Sequence, residues 1–271
     1  MDLEEKNLGN QGLKDLMKIT FRELKELKLY WNNISDIKIL EKANFEKLEI
    51  LFLSDNKIND INVLEKVYFK ELKELYLNNN NISDIKVFKN AKFETLEILN
   101  LGDNKISDID ILEKVNFKGL KELYLYCNDI SDITILEKVD FKDLEVLNLY
   151  FNNISDINIL EKVNFKKLKE LYLHRNIITD INVLEKVNFK KLKELSFIGN
   201  IISDINVLEK VNFKELRELK LNNNNISDIK VLEKSKFEKL KVLNLSYNKI
   251  DEIKNSKIIS KLKSKIKDFK I

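Results

Sequence analysis

The sequence has no proline, only five glycines, and a single cysteine, histidine and tryptophan. Each scarcity removes a class of explanation. With no proline and no glycine- or serine-rich stretch, nothing marks a linker, and residues 1–271 read as one elongated domain. Cys127 has no second cysteine for an internal disulfide. One histidine leaves no metal-ligand set, and no glycine-rich loop is present to cradle a phosphate, so neither metal nor cofactor is expected. No apolar run approaches the roughly 18 residues of a membrane span. The start, MDLEEKNLGNQ, shows neither the basic nor the apolar segment of a leader, which makes a reducing, cytoplasmic setting the expectation. Charge of one sign is also lacking: Lys+Arg 48 against Asp+Glu 45 gives no global field for nucleic acid.

What is abundant is repetition. A 24-residue unit recurs ten times without a gap across 21–253, its starts marked by Phe21, Phe45, Phe69, Phe93, Phe117, Phe141, Phe165, Phe189, Phe213 and Phe237. A strict period of this size means stacked units, each too small to bury its own apolar face. In each unit a pair such as Leu27/Leu29 or Leu243/Leu245 alternates with polar residues, the pattern of a strand with one buried face. Copies that run the same way must stack these strands in parallel, about 4.8 Å apart. An asparagine follows in every copy, Asn32 to Asn248, and is expected to satisfy backbone groups in the bend while stacking on the asparagines above and below. The second half, I-S-D-I-x-V-L-E-K, carries capping residues and apolar places every three positions, as in a turn or two of 3₁₀ or α-helix. Its aspartate column, Asp36 through Asp228, lacks the glycine turn of a calcium loop and is read as capping. The ten phenylalanines are expected to form a buried spine.

The pattern LxxLxLxxNxIxDIxxL, as in LKELYLNNNNISDIKVF at 72–88, resembles leucine-rich repeats of the class found in internalins and the phosphatase-1 regulatory subunit. The stretch NLGNQGLKDL near the start is more similar to the ribonuclease-inhibitor class. The resemblance implies an α/β solenoid: a right-handed horseshoe with a parallel sheet on the concave face, short 3₁₀ or α turns on the convex face, and a protein bound on the concave side. Residues 1–20 are expected to be an N-terminal cap built as a damaged repeat, with Leu3, Leu13, Leu16 and Ile19 in core places. Residues 254–271 hold seven lysines and one aspartate, a net +6 that exceeds the whole chain's +3. Ile258, Ile259, Leu262, Ile266 and Phe269 lie at helical spacing there, so this stretch is a basic C-terminal cap or a free tail.

Function must lie where the copies differ. Cys127 and His174 sit two copies apart, about 10 Å by strand spacing, too far for a nucleophile and its base, so no enzyme is expected. Copies one to four line the concave side with Lys28, Tyr30, Trp31, Phe52, Ser54, Asp55, Tyr76, Asn78, Asn79, Asn100, Gly102 and Asp103. Copies five to eight bring Tyr124, Tyr126, Tyr150, Phe151, Tyr172, His174, Arg175 and Ile198, with Ile177 and Ile201 in places that are Asn, Lys or Asp in the other copies. This composition is that of a protein-binding core, with Tyr150, Phe151, Tyr172 and Arg175 as candidate anchors; lateral packing of tyrosines on adjacent strands is the competing structural reading. His174 is a candidate for modulating binding between pH 5 and 8, and changes at Asn78, Asn148 or Asn222 are expected to be silent. Lys166, Lys167, Lys169, Lys190, Lys191 and Lys193 flank the strip and suggest a partner with an acidic surface. The expectation is a monomeric, non-enzymatic scaffold that binds a protein. Its alternative is a peripheral membrane or nucleic-acid-associated factor working through the basic tail.

Overall fold

The computed structural model describes residues 1–43 and 45–271. They form two compact units, Met1–Ile130 with Lys138–Asp143, and Ser131–Glu137 with Leu144–Ile271. In the first unit the strands are β1 (Glu26–Lys28), β2 (Ile50–Phe52), β3 (Glu74–Tyr76), β4 (Ile98–Asn100) and β5 (Glu122–Tyr124), parallel and side by side in chain order. In the second they are β6 (Val146–Asn148), β7 (Glu170–Tyr172), β8 (Glu194–Ser196), β9 (Glu218–Lys220), β10 (Val242–Asn244) and β11 (Asp268–Lys270), likewise parallel. Register follows the period: Leu27 faces Leu51 and Leu171 faces Leu195, so each leucine meets its own copy. The returning segments are single 3₁₀ turns, for example Asn62–Glu65, Asn182–Glu185 and Asn206–Glu209. Each unit is therefore a stack of parallel strands joined through 3₁₀ turns, as the repeat pattern implies.

Two side-chain columns lock the copies. Asn128 Oδ1 accepts from Ile106 N–H at 2.9 Å, while its Nδ2 donates to the carbonyls of Leu101, Leu125 and Tyr126 at 3.0, 3.2 and 3.1 Å. Asn56, Asn80, Asn176, Asn200 and Asn224 repeat the scheme. The asparagines thus tie the backbone of their own copy to that of the preceding one rather than binding one another's side chains. Each aspartate from Asp36 to Asp228 accepts from the N–H two residues on, at 2.7–2.9 Å, fixing the start of its 3₁₀ turn. Just ahead of the strands the sequence alternates in charge, Lys25, Glu49, Lys73, and these side chains meet across copies. Glu49 sits between Lys25 and Lys73 at 3.0 and 2.7 Å, and these lysines hold its carboxyl down at about 2.

The spine and the caps depart from expectation in places. Phe45 through Phe213 are buried, but Phe21 and Phe237 are only half-buried, since each end copy lacks a repeat on one side. The N-terminal cap is a helix, α1 (Gly9–Leu16), which buries Leu13. Ile19, placed in the core by counting back one period, is 57% exposed, because the helix shortens the path and the register is lost. At the C-terminus α2 (Ser256–Lys265) buries Ile258, Ile259 and Leu262, so the stretch is an ordered cap. Phe269 is not on this helix. It lies in β11 opposite Leu243, closing the edge of β10 with main-chain hydrogen bonds that a helix could not supply. Beneath the cap a cavity of ≈ 320 Å³ is lined by Phe237, Leu240, Leu243, Leu262 and Ile266.

Candidate functional site

The residue just before each conserved asparagine adopts a left-handed backbone conformation in all ten copies, with φ from 49° at Cys127 to 66° at Gly199. Five copies use residues suited to it, Asp55, Asn79, Asp103, Gly199 and Asn223. The others place Trp31, Cys127, Phe151, Arg175 and Tyr247 there, where an ordinary L-residue costs about 1–2 kcal/mol. Three of these are aromatic and well exposed: Trp31 50%, Phe151 51% and Tyr247 80%. The backbone geometry does not call for a bulky side chain at this place.

In the second unit the solvent face of the strands brings Tyr150, Phe151, Tyr172, His174, Arg175, Ile177, Ile198 and Ile201 together. Tyr150 and His174 stack at 4.5 Å with planes 4° apart, and Tyr172 meets His174 edge-on at 6.1 Å. The Arg175 guanidinium lies 5.8 Å from the Phe151 ring centroid, within cation–π range. Ile177 and Ile201 stand 49% and 46% exposed on adjacent copies, and Ile198 is half-buried. Two members differ from expectation. The Tyr172 hydroxyl donates towards Glu170 and Glu194 at 2.8 and 2.9 Å, and burial with these carboxylates pushes its pKa up, so the ring is braced from within. Burial, followed by the charges of Arg175 and Lys220, lowers His174 to about 4, so it is neutral from pH 5 to 8 and is no switch in that range. Asn222, expected to be silent, is 9% exposed with its Oδ1 unpartnered.

Tyr124 and Tyr126 lie in the first unit, where the lateral-packing reading describes them. The Tyr124 hydroxyl donates to Glu122 at 2.6 Å, its ring meets Tyr126 at 6.5 Å, and Tyr126 lies over Gly102 so closely that a Cβ there would fall 2.3 Å from the ring. The same unit holds a cluster that the contrast between copies did not single out: Tyr30 against Trp31 at 5.9 Å, Tyr30 against Phe52 at 6.0 Å, and Phe52 stacked on Tyr76 at 4.5 Å. Its signal was the run of aromatics at 30, 31, 52 and 76. The hydrogen bond to Glu4 pushes Tyr30 up to about 12. The basic flank is partly neutralised, since Lys169 pairs with Glu145 at 2.5 Å, while Lys166, Lys190 and Lys191 stay exposed.

A family model for leucine-rich repeats in two copies matches residues 70–114, 94–138, 118–162, 142–186 and 214–263. The stretch between the last two matches holds Ser196, Phe197, Ile198, Gly199 and Ile201. No curated protein matches the sequence. Among solved structures, an internalin (InlF) of Listeria monocytogenes is 29% identical over 92% of this chain and 74% of its own, with a TM-score of 0.67. A leucine-rich-repeat protein of Leptospira interrogans is 25% identical over 95% and 68%, with a TM-score of 0.75. The functional domain of InlJ from Listeria monocytogenes shares the fold at 20% identity, covering 100% of this chain and 52% of its own, with a TM-score of 0.69. On its repeats, its locking asparagines and the family matches, the chain belongs to the leucine-rich-repeat family.

Proposed function

We propose that the protein is a non-enzymatic interaction module that binds a protein partner on the strand face of the second unit, centred on Phe151, Arg175, Ile177 and Ile201. Leucine-rich-repeat proteins are in general scaffolds for protein interaction, which supports the reading at the level of the family. The observation that carries it to these residues is Phe151 and Arg175 in the left-handed position. The fold there accepts Asn or Gly at lower cost, yet it holds out a half-exposed ring and a guanidinium that forms no ion pair among the described residues. Interfaces concentrate energy in such aromatic and arginine anchors. Tyr150, Tyr172, His174 and Ile198 form the half-buried floor beneath them. The exposed lysines at 166, 190 and 191 suit a partner with an acidic rim.

The basic C-terminus is less suited to lead. Its apolar stripe is buried as a cap, and Lys261 is engaged by Glu233 at 3.3 Å. Affinity capture on the full chain, followed by calorimetry with the captured protein, tests the placement. Phe151→Ala and Arg175→Ala should each weaken binding by about 1–3 kcal/mol, with Asn78→Ala silent. Equal loss for Asn78→Ala, or unchanged binding by the double variant, would place the site elsewhere. Binding abolished only by removing 254–271, with steep salt dependence, would favour the basic tail.

A further inference from the structure

The strand face of the first unit carries an exposed aromatic surface of its own. Trp31 is 50% exposed, and its indole meets Tyr30 edge-on at 5.9 Å. Tyr30 in turn meets Phe52 at 6.0 Å, and Phe52 stacks on Tyr76 at 4.5 Å with planes 8° apart. The rings thus run across successive copies, about 10 Å by strand spacing, and each is at least partly open to solvent. Carboxylates border them. Glu5 N–H donates to the Tyr30 carbonyl at 3.3 Å, as Phe151 N–H does to that of His174, so Glu5 stands beside Trp31 as Phe151 stands beside Arg175. On the other side Trp31 N–H donates to the Asp55 carbonyl at 3.1 Å. Where the second unit sets a cation next to a ring, Arg175 next to Phe151, the first unit sets an acid on each side of Trp31. Glu5 is exposed and forms no ion pair among the described residues. The Tyr30 hydroxyl donates to Glu4 at 2.6 Å and the Tyr76 hydroxyl to Glu74 at 2.8 Å. Lys28, on the same face of β1, is shared by Asp2 at 3.5 Å and Glu26 at 3.6 Å, whose side chains are 55% and 43% exposed. One lysine between two carboxylates leaves negative charge in excess, and Glu26, with Asp2, pushes the Lys28 ammonium above its usual range.

We propose that this face docks a basic segment of a protein partner, with an arginine side chain of that segment on the Trp31 indole and its guanidinium within reach of Glu5 and Asp55. The surface uses none of the residues centred on Phe151 and Arg175, so it stands or falls separately from the binding reading given above. Ring chemistry and charge together select the occupant. The face of an aromatic ring attracts a cation, most strongly when the ring is an indole. A guanidinium is planar and weakly hydrated, so it stacks on the ring while its N–H groups donate to a carboxylate at the edge. An ammonium is a more strongly hydrated point charge with no plane to stack, which places lysine second. The same carboxylates repel phosphate, which turns nucleic acid away. Tyr30, Phe52 and Tyr76 give the neighbours of the arginine an apolar bed, and the excess charge at Asp2 and Glu26 suits a second basic residue.

Trp31 is the only tryptophan of the chain, so its emission reports on this place directly. A short blocked peptide alternating glycine and arginine is titrated into the full chain, beside its lysine and citrulline analogues. The arginine peptide should change the indole emission saturably, and the effect should shrink as salt rises. The citrulline peptide keeps the shape without the charge and should give no saturable change, while the lysine peptide should bind about twofold to fivefold more weakly. With a dye on the peptide, anisotropy then reads the variants. Glu5→Gln and Asp55→Asn should each weaken the arginine peptide by about twofold to fivefold. Trp31→Asn should do the same, and it installs the residue that Asn79 places in this backbone conformation, so the fold should be kept. Thermal melting checks each variant, and if one fails to fold the others decide. Equal binding of the citrulline peptide, a lysine peptide that matches the arginine one, or anisotropy that rises while the emission stays unmoved overturns the inference. So does unchanged affinity in folded Trp31→Asn or in the pair Glu5→Gln and Asp55→Asn, and so does the lack of any response at millimolar peptide. Binding that is lost in Phe151→Ala and kept in Trp31→Asn would put the peptide on the second unit, ending this inference while leaving that surface in place.

Discussion

Replacing Asn128 by aspartate should harm the fold more than replacing it by alanine. The amide does two jobs: its oxygen accepts from Ile106 N–H at 2.9 Å, and its nitrogen faces three carbonyl oxygens, those of Leu101, Leu125 and Tyr126, at 3.0–3.2 Å. Alanine removes four hydrogen bonds in a place that is 7% exposed, the one from Ile106 N–H among them, for a loss of about 1–3 kcal/mol. Aspartate retains the acceptor but, when ionised, sets a negative charge against three carbonyl oxygens, which adds to that loss. Its carboxyl is then held above the ordinary value of about 3.9 in the folded state. A raised folded pKa means stability gained on acidification and lost as pH rises through that pKa. Denaturant titration at neutral pH should rank Asn above Ala above Asp, and the gap between Ala and Asp should close as the carboxyl protonates and donates. Amide hydrogen exchange gives a local reading: Ile106 N–H should lose protection in Asn128→Ala and keep part of it in Asn128→Asp. An unchanged Ile106 amide in Asn128→Ala, or an aspartate variant as stable as wild type at neutral pH, would refute the bridging role.

Other consequences follow from burial and backbone geometry. Phe165→Ala should cost about 3–5 kcal/mol in equilibrium unfolding and Phe237→Ala clearly less, because Phe165 is 1% exposed while Phe237 borders the cap cavity; equal costs would contradict the layered spine. Tyr247→Asn should stabilise by up to about 1–2 kcal/mol, since it relieves a left-handed tyrosine that is 80% exposed, and a loss by the same assay would show that the ring packs after all. His174, lowered to about 4 by burial, is protonated more readily in the unfolded chain, so its contribution is full above the ordinary value of 6.5 and is lost as pH falls towards 4. The loss should be about 1–2 kcal/mol after discounting for the ring's exposure, and should be missing from His174→Phe when the two are compared across that range.

The scaffold was legible because it is periodic. A residue that returns every 24 places with its chemistry intact, like Asn128 or Phe141, announces a repeated contact. The left-handed column was illegible for the opposite reason: Trp31, Asp55, Cys127, Phe151, Arg175 and Gly199 share a backbone conformation and no chemistry. Phe269 fits a helical stripe with Ile258 and Leu262, and only the open edge of β10, a demand of the assembled sheet, draws it into a strand. The face was half readable. Composition located Phe151, Arg175, Ile177 and Ile201, whose exposure the structure bears out. It could not show that Glu170 and Glu194 hold Tyr172 from within, that burial removes His174 from the titrating range, or that Ser196 and Asn222 lack partners, because each depends on which side chains meet across copies. The repeat places Tyr30, Trp31, Phe52 and Tyr76 of the first unit on the strand face, but that their rings meet across copies depends on side-chain packing that the period does not encode.

The central claim is that the second unit holds out Phe151 and Arg175 to bind a protein and not to support the fold. Phe151→Asn measures this most directly, because it installs the residue used at the same backbone position by Asn79 and Asn223. Relief of the left-handed strain, about 1–2 kcal/mol, offsets the loss of a half-exposed ring and its contact with Arg175, so unfolding free energy should stay within about 1 kcal/mol of wild type. The affinity of the captured protein should meanwhile fall by about 1–3 kcal/mol. A variant that unfolds markedly more easily yet binds its partner as before would contradict the account.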